Sequence, residues 1–336
     1  MSKATESRAP VAPQEDFAAS VAAGLSQPRK SLPCRFFYDD RGSALFEEIT
    51  RQPEYYLTRT EADILDANVR QMLEGASSET VLVEFGSGSS VKTEILIRAM
   101  GSLYAYAPID ISESALADAR RRLTSRFSGL DVRLIPADFS VPIDLPPDIS
   151  RRSQLGFFPG STIGNFAPLE AARVLDAMRE TLSSGARLIV GVDLKKDVRR
   201  LLEAYDDAEG VTAAFDLNLL TRINRELGGK IDPLTFSHAA IYDSVEGRVE
   251  MHLVSRKDQL VDAGVGRFAF RAGETIHTEN AYKHSIEEFQ RIARRAGWRP
   301  ARVWTDAMGL FSLHELIAPR ASINDRIADR RDKRSW

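Results

Sequence analysis

The sequence predicts an α/β fold built around a parallel sheet with helices on both faces. Short runs rich in branched or aromatic residues recur along the middle of the chain, at Val81–Phe85, Leu103–Ile109, Val132–Ile135, Leu155–Phe158 and Arg187–Val192. Segments with helical apolar spacing lie between them, including Val91–Met100, Ser114–Phe127 and Leu169–Leu182. Alternating strands and helices are typical of a covered parallel sheet, where ligands bind at the carboxyl ends of the strands.

Regions outside this alternation predict a second, smaller domain. The segment "AAIYDSVEGRVEMHLVSR" alternates apolar and polar residues around a Glu-Gly turn, which indicates a hairpin. The later segments "SIEEFQRIARRAGW" and "RVWTDAMGLFSLHELI" predict a helix and a strand pair that complete the main sheet. We therefore expect a flexible tail at 1–28, a main domain at 61–196 plus 286–321, a second domain at 29–60 plus 197–285, and a charged tail at 322–336.

The composition is that of a soluble globular protein. Apolar residues make up 43% of the 336 residues, charged residues 28%, and the formal net charge is -3. This balance points to neither a nucleic-acid nor a membrane partner. The single cysteine, Cys34, excludes an internal disulfide and a cysteine-based zinc site and favours a reducing compartment. We expect a cytoplasmic monomer with no secretory leader and no membrane span.

A glycine turn follows the first apolar run. In "LVEFGSGSSVKTEIL", Gly86 and Gly88 lack the third glycine of a dinucleotide site, so NAD is not favoured. Acids follow the next two runs, at Asp110 and Asp138. A glycine turn with two such acids suits an adenosine without phosphates, such as S-adenosylmethionine. Each residue alone has a structural alternative: a strand–helix connection for the glycines, a helix N-cap for Asp110 (with Ser112 an equal candidate) and a turn for Asp138. Their common register favours the ligand.

The segment "FFPGSTIGNF" follows the fourth run. It places Gly160, Thr162 and Asn165 where the reacting group of a substrate would meet the cofactor. An Asn amide offers donors and an acceptor to a zwitterionic amino acid, although these residues also suit a simple tight turn. Transfer of an activated methyl group needs orientation rather than a metal. The five histidines form no His-x₃-His pair, so we expect no metal site and interpret them as structural or surface groups.

Five long segments together resemble the histidine Nα-methyltransferases of ergothioneine biosynthesis, in the same order and from about residue 30 to 320. They are "FFYDDRGSALFEEITRQPEYYLTRTEADIL", "VEFGSGSSVKT", "FFPGSTIGNF", "AYDDAEGVTAAFDLNLLTRINRELGG" and "IHTENAYKHS". The resemblance implies a Rossmann-like class I methyltransferase domain with a smaller α+β substrate-binding domain. It also implies that S-adenosylmethionine trimethylates the α-amine of L-histidine to give hercynine.

The resemblance assigns roles to particular residues. The cofactor-binding set is Gly86, Lys92, Asp110, Asp138 and Phe139, to which the glycine turn itself adds Gly88. The substrate set from the resemblance is Tyr38, Tyr56, Asn165, Tyr205, Met251 and Glu279, with Ala281 at a further position of the family pattern. The segment after the fourth run adds Gly160 to the substrate set and Thr162 to the catalytic group of Asn165 and Tyr205. Within it, Asn165 and Tyr205 hold the amino and carboxylate end, and Glu279 accepts an imidazole N–H. On spacing alone, Lys92 suits a solvated helix face, Tyr56 suits core packing and Glu279 suits a strand surface.

One position departs from the family pattern. A serine that contacts the imidazole in the histidine enzymes is Ala281 here. Loss of one hydrogen bond costs about 1 kcal/mol and would weaken histidine binding about five- to tenfold. Alternatively Asn280, Tyr282 or a water supplies the partner, or the substrate is another amino acid or an indole-type amine. A non-catalytic S-adenosylmethionine-binding protein is a further alternative, which the retained Asn165, Tyr205 and Glu279 disfavour.

Overall fold

The computed structural model describes residues 13–87 and 91–320. The chain divides into two compact units, and each is described separately below. The described residues of the small unit are 13–52, 202–242 and 249–279. Those of the large unit are 53–87, 91–201, 243–248 and 280–320. The domain boundaries drawn from the sequence stay a prediction.

Helices and strands alternate through the middle of the chain. The helices are α1 (Pro13–Leu25), α2 (Asp40–Ile49), α3 (Leu57–Met72), α4 (Val91–Met100), α5 (Glu113–Arg126), α6 (Pro147–Ser150), α7 (Pro168–Thr181), α8 (Val198–Glu203), α9 (Val211–Leu227) and α10 (Ile286–Arg295). The strands are β1 (Lys30–Ser31), β2 (Val81–Phe85), β3 (Ala105–Asp110), β4 (Ile135–Pro136), β5 (Gln154–Phe158), β6 (Arg187–Asp193), β7 (Phe236–Asp243), β8 (Arg248–Ser255), β9 (Gln259–Asp262), β10 (Arg267–Phe270), β11 (Thr275–Tyr282), β12 (Arg299–Thr305) and β13 (Phe311–Ile317). Among the described helices, none has the length and apolarity needed to cross a bilayer.

The large unit is built on a mostly parallel sheet. Among the described residues its strand order is β12-β13-β6-β5-β2-β3-β4, and β13 runs antiparallel to both of its neighbours. All five residues of β2 are buried, as expected for a strand covered on both faces. The chain order reverses between β2 and β5, and ligands of such sheets bind at this point. The predicted Rossmann-like α/β class is confirmed.

Local sequence signals fix the helices that cover this sheet. Pro168 begins α7, and the Glu170 carboxylate accepts the Ala167 N–H at 3.1 Å. A reciprocal capping box begins α10: Ser285 Oγ accepts the Glu288 N–H at 3.2 Å, and the Glu288 carboxylate accepts the Ser285 N–H at 2.7 Å. The predicted late helix and strand pair are therefore present, and they extend the main sheet.

One predicted strand is shorter than expected. The apolar run Val132–Ile135 predicts a continuous strand, but β4 covers only Ile135–Pro136 at the edge of the sheet. An isolated bridge between Tyr106 and Val132 precedes it. The strand therefore starts three residues later than predicted, and it ends at Pro136, which lacks an N–H and cannot donate to the ladder.

The strands that lie mainly in the small unit form a sheet of order β1-β11-β8-β7. The predicted hairpin is β7–β8, and its turn uses Gly247 in the left-handed region, at φ +71°. Helix α2 begins at the N-cap Asp39, which accepts the Gly42 N–H at 2.7 Å. The same carboxylate binds Asn218 at 2.8 Å and Arg225 at 2.6 Å on α9. Asp39 therefore joins α2 to α9.

The predicted flexible tail at 1–28 is wrong for residues 13–25. These residues form α1, in which Phe17 and Val21 are fully buried. The Phe17 and Phe36 rings lie 4.7 Å apart between centroids. Four-residue spacing puts Phe17 and Val21 on one helix face, and burial of that face outweighs the polar character of the flanking segment. Residues 1–12 and the predicted tail at 322–336 lie outside the described residues.

Candidate active site

The glycine turn follows β2 at the carboxyl edge of the large sheet. Gly86 has φ +76°, a conformation that residues with a side chain rarely adopt, and its N–H bonds the Ile109 carbonyl at 2.8 Å. A Cβ at Gly86 would lie 3.7 Å from the Phe139 ring. The turn therefore brings Gly86 and Phe139 together. Gly88 lies outside the described residues.

Asp110 ends β3 beside this turn. Its carboxylate accepts the Ser87 N–H at 3.2 Å and the Ser112 N–H at 2.9 Å. The N-cap of α5 is Ser112, whose hydroxyl accepts the Ala115 N–H at 3.2 Å, so Asp110 does not cap this helix. Burial raises the pKa of Asp110, against the backbone N–H groups that favour its charged form. The carboxylate therefore holds the glycine turn against β3.

Asp138 and Phe139 follow β4. Asp138 is exposed and accepts the Ser140 N–H at 2.8 Å. This local contact also suits the alternative that Asp138 is simply a turn residue. Phe139 packs edge-on against Phe158, with ring centroids 5.4 Å apart. Gly86, Asp110 and Phe139 thus meet at one edge of the sheet. A left-handed glycine, a half-buried carboxylate and an aromatic face fit the backbone approach, ribose hydroxyls and adenine of an adenosine ligand.

Lys92 is paired inside the large unit rather than solvated. Its ammonium forms an ion pair with the carboxylate of Glu61, whose side chain is 0% exposed. The same carboxylate accepts the Gly160 N–H, at 2.9 and 3.1 Å to its two oxygens. Sequence reasoning missed Glu61, which looks like one more acid near the start of a helix. The structure links Lys92 to the turn after β5 through this residue.

The turn after β5 carries Gly160, Thr162 and Asn165. Gly160 has φ +80°, and Ser161 is the only non-glycine with positive φ within residues 13–87 and 91–320. The Ser161 hydroxyl accepts the Asp193 N–H at 2.9 Å, which holds this strained residue in place. Asn165 is half-buried at the end of a 3₁₀ turn, Thr162–Asn165. The segment is therefore also consistent with the alternative prediction of a tight turn that has no role in substrate binding.

The end of β11 runs against this turn. A Cβ at Gly164 would lie 2.8 Å from the Tyr282 carbonyl oxygen, so the two backbones approach too closely for any other residue. Ala281, next to Tyr282, is 4% exposed. Arg248 donates a hydrogen bond to the Tyr282 hydroxyl. Ala281 therefore occupies a closed environment in which an added hydroxyl would need a partner.

Tyr56 belongs to a buried charged cluster in the large unit. Its hydroxyl lies 2.9 Å from both oxygens of Asp193 and accepts a hydrogen bond from Lys196. Lys283 binds the same carboxylate at 2.8 Å. Burial lowers the pKa of Lys196 to about 8, aided by the Lys283 charge and opposed by Asp193. Burial disfavours the charged Asp193, but the two lysines outweigh it and lower its pKa. Sequence reasoning missed the three charged residues of this cluster, Asp193, Lys196 and Lys283.

In the small unit, Tyr205 is held by a buried histidine. His238 Nε2 lies 2.8 Å from the Tyr205 carbonyl oxygen, and His238 Nδ1 lies 2.7 Å from Asp216. The His238 and Asp216 side chains are 1% and 0% exposed. Burial disfavours the charged ring, but the hydrogen bond and charge of Asp216 outweigh it and raise the pKa of His238.

The other predicted site residues of the small unit lie on β8, on β11 and in the segment before α2. Met251 is buried on β8, and its carbonyl accepts the Thr278 hydroxyl at 3.0 Å from β11. Glu279 follows Thr278, and its charge adds to burial in raising the pKa of Cys34 to about 12. Cys34 is therefore a protonated thiol at neutral pH. Tyr38 is 36% exposed, and its ring lies edge-on to Phe46 and Phe215.

The predicted residues thus fall into two sets, one in each unit. The large unit holds Tyr56, Gly86, Lys92, Asp110, Asp138, Phe139, Gly160, Thr162, Asn165 and Ala281. The small unit holds Tyr38, Tyr205, Met251 and Glu279. In the part of the chain that the structure describes, no group of three or more His, Cys, Asp or Glu residues is arranged to hold a metal ion. The functional role of each residue stays a prediction.

Comparison with known proteins identifies the family. A family model described as histidine-specific methyltransferase, SAM-dependent, matches residues 17–318. Histidine N-alpha-methyltransferases of Mycolicibacterium smegmatis and Mycobacterium tuberculosis are 41% and 40% identical, each over 87% of this chain and 92% of the relative. A 4-dimethylallyltryptophan N-methyltransferase of Aspergillus fumigatus is 27% identical over 85% of this chain and 88% of that protein. The chain therefore belongs to the S-adenosylmethionine-dependent, histidine-specific methyltransferases.

Proposed function

We propose that this protein trimethylates the α-amine of L-histidine, with S-adenosylmethionine as methyl donor, to give hercynine for ergothioneine synthesis. The observation that carries the proposal is the family match across residues 17–318. Support also comes from the two relatives named histidine N-alpha-methyltransferase, whose length the chain covers almost completely. The cluster of Gly86, Asp110 and Phe139 suits the adenosine part of the donor.

Methyl transfer requires the protein to bind and orient the two reactants and to exclude water from them. The bound sulfonium supplies an activated methyl group, and each transfer forms a C–N bond while a C–S bond breaks. The protein has to present the neutral amine in line with that methyl. We assign this positioning to Asn165 and Tyr205, and recognition of the imidazole to Glu279, as the family resemblance implies.

The turn after β5 also suggests where the amine proton leaves. The Thr162 hydroxyl donates to the Pro159 carbonyl at 3.0 Å. Because the hydroxyl proton of Thr162 is already donated to this carbonyl, the hydroxyl can only accept a hydrogen bond from a neighbouring water or amine. We propose that the proton passes to solvent through a water that Thr162 orients.

A second candidate is the same reaction on another aromatic amino acid. Two observations favour it: the alanine at position 281 and the similarity to a fungal enzyme named for a tryptophan derivative. Histidine is the better supported substrate, because the relatives named for histidine are far more similar to this chain.

We further propose that the enzyme is a cytoplasmic monomer without nucleic-acid or membrane partners. The near-neutral net charge of -3 and the single cysteine support this proposal. Light scattering after gel filtration measures the oligomeric state directly. A mass of one chain is expected, and a stable dimer would contradict it.

A substrate panel tests the proposed function. Purified protein and S-adenosylmethionine are incubated with each standard amino acid and with histamine, and methylated products are detected by mass spectrometry. We expect three methyl groups on histidine and none on histamine, which lacks the carboxylate. Inert histidine with a different amino acid methylated would select the second candidate. Cofactor binding without any methylated amine would favour a non-catalytic protein.

A further inference from the structure

Glu61 occupies an unusual position for a carboxylate. It lies on α3 with its side chain fully buried, and it forms an ion pair with Lys92 of α4. Both of its oxygens also accept the backbone N–H of Gly160 after β5. A buried carboxylate is costly unless such partners satisfy it. One side chain therefore joins three separate segments of the large unit.

The three segments include two that the family resemblance assigns to ligands. Lys92 belongs to the predicted cofactor set, and Gly160 begins the turn that carries Thr162 and Asn165. A Cβ built on Gly160 would lie 3.5 Å from Lys92 Nζ and 3.6 Å from Thr162 Oγ1. The Glu61 carboxylate thus contacts both the Lys92 ammonium and the backbone of the turn, and the ammonium lies beside Gly160. A shift of Glu61 would therefore disturb both segments to which ligand contacts are predicted.

The backbone of β6 leaves room for this carboxylate. Gly191 has an ordinary strand position, yet a Cβ there would overlap Glu61 Oε1 and lie 3.1 Å from Phe311. The glycine therefore provides the space that the carboxylate fills. This contact offers a way to displace Glu61 without changing Glu61 itself.

We propose that Glu61 is a positioning residue for methyl transfer. It acts through Lys92 and the Gly160 N–H, and it holds the cofactor side and the amine side in one fixed arrangement. The inference rests on the proposed function, since it takes Lys92 to face the cofactor and the turn to face the reacting amine. Misplacement of reacting groups by about 1 Å can cost on the order of a hundredfold in rate.

Three variants test the proposal. Glu61→Gln keeps an acceptor for Gly160 but removes the charge that pairs with Lys92. Gly191→Ala displaces the carboxylate by steric overlap. Gly156→Ala is the matched control, because it adds the same methyl group to a neighbouring strand, where a Cβ would lie 2.8 Å from Leu182 and Leu188 and away from Glu61. Thermal melting first establishes that each variant is folded.

Two measurements, kcat and the Kd for S-adenosylmethionine, distinguish a positioning role of Glu61 from a general effect on the stability of the fold. We expect Glu61→Gln and Gly191→Ala each to lower kcat about tenfold or more and to raise the Kd for S-adenosylmethionine about tenfold. Gly156→Ala should lower Tm but keep kcat and Kd within about threefold of the wild type. Titration calorimetry with S-adenosylmethionine alone gives the Kd whatever the amine substrate is.

The outcomes are distinct from those of the substrate panel. Inert histidine with the wild-type enzyme would count against the proposed function, and kcat would then be measured with the amine that the panel identifies. The positioning role is overturned if Glu61→Gln and Gly191→Ala keep the wild-type kcat and Kd. It is equally overturned if Gly156→Ala lowers kcat and raises the Kd as much as those two variants do. It is also overturned if both test variants fail to fold while the control folds, because Glu61 is then purely structural.

Discussion

The His238 ring donates a hydrogen bond to the Tyr205 carbonyl across 2.8 Å, and its other nitrogen faces Asp216 at 2.7 Å. Both partners are acceptors, so the pair is complete only when both ring nitrogens carry protons. The doubly protonated ring therefore best satisfies both contacts, one of which is to the backbone of a predicted substrate residue. This arrangement connects the protonation of one buried histidine to the position of Tyr205.

The His238–Asp216 pair predicts a pH-dependent contribution to stability. The folded-state pKa of His238 is raised, so the stabilisation is fully present below the unfolded pKa of about 6.5 and is lost as pH rises through the folded pKa. We expect His238→Gln to lower the free energy of unfolding by about 2 kcal/mol at pH 6 and by less at pH 9. Urea denaturation at both pH values measures this, and a pH-independent difference would refute the charged ring.

Asp110 predicts a cofactor-specific defect. Asp110→Ala removes the acceptor that we assign to the ribose, so the KM for S-adenosylmethionine should rise at least about tenfold while the KM for histidine changes little. Ser112→Ala is the control, because it removes the cap of α5 and should cost about 1 kcal/mol of stability without a change in KM. An unchanged cofactor KM in Asp110→Ala would remove this residue from the ribose site.

Glu279 predicts a substrate-specific defect. Glu279→Ala should raise the KM for histidine about tenfold or more, because a charged acceptor of an imidazole N–H is lost. The Kd for S-adenosylmethionine should stay within about twofold. Glu274→Ala, which breaks an ion pair with Lys30 just before the same strand, serves as the comparison. Equal losses of histidine and cofactor binding in Glu279→Ala would make Glu279 structural.

Ala281 predicts a gain of function. Ala281→Ser restores the hydroxyl of the family pattern at a position that is 4% exposed. If the imidazole lacks a partner there, the KM for histidine should fall about five- to tenfold. Steady-state kinetics of the wild type and the variant measure this KM. An unchanged or higher KM would mean that another group or a water already supplies the contact.

The sheet was predictable because its signal is local. Parallel strands covered on both faces require continuous apolar runs, and those runs lie within or next to β2, β3, β5 and β6. Helix α4 has the predicted bounds, Val91–Met100. The buried α1 was missed because a few apolar residues in an Ala- and Pro-rich segment give a weak pattern, and only packing shows that Phe17 is core.

The charged partners in the candidate site were not predictable in the same way. Glu61 meets Gly160 across 99 positions of sequence, and Tyr56 meets Asp193 across 137. No periodicity or spacing encodes such long-range pairs, since they arise only when the strands assemble. The glycine turn and the acid ending β3 were predictable because the fold places ligands at strand ends. A buried Glu on a helix and single lysines after β6 and after β11 carry no comparable signal.

The central claim is methylation of the α-nitrogen of histidine. The most direct test is proton NMR of the product formed from L-histidine and S-adenosylmethionine by the purified enzyme. We predict a single resonance from three equivalent methyl groups on the α-nitrogen, with the imidazole nitrogens unmodified. A methyl group on the ring, or unmodified histidine after prolonged incubation, would contradict the account.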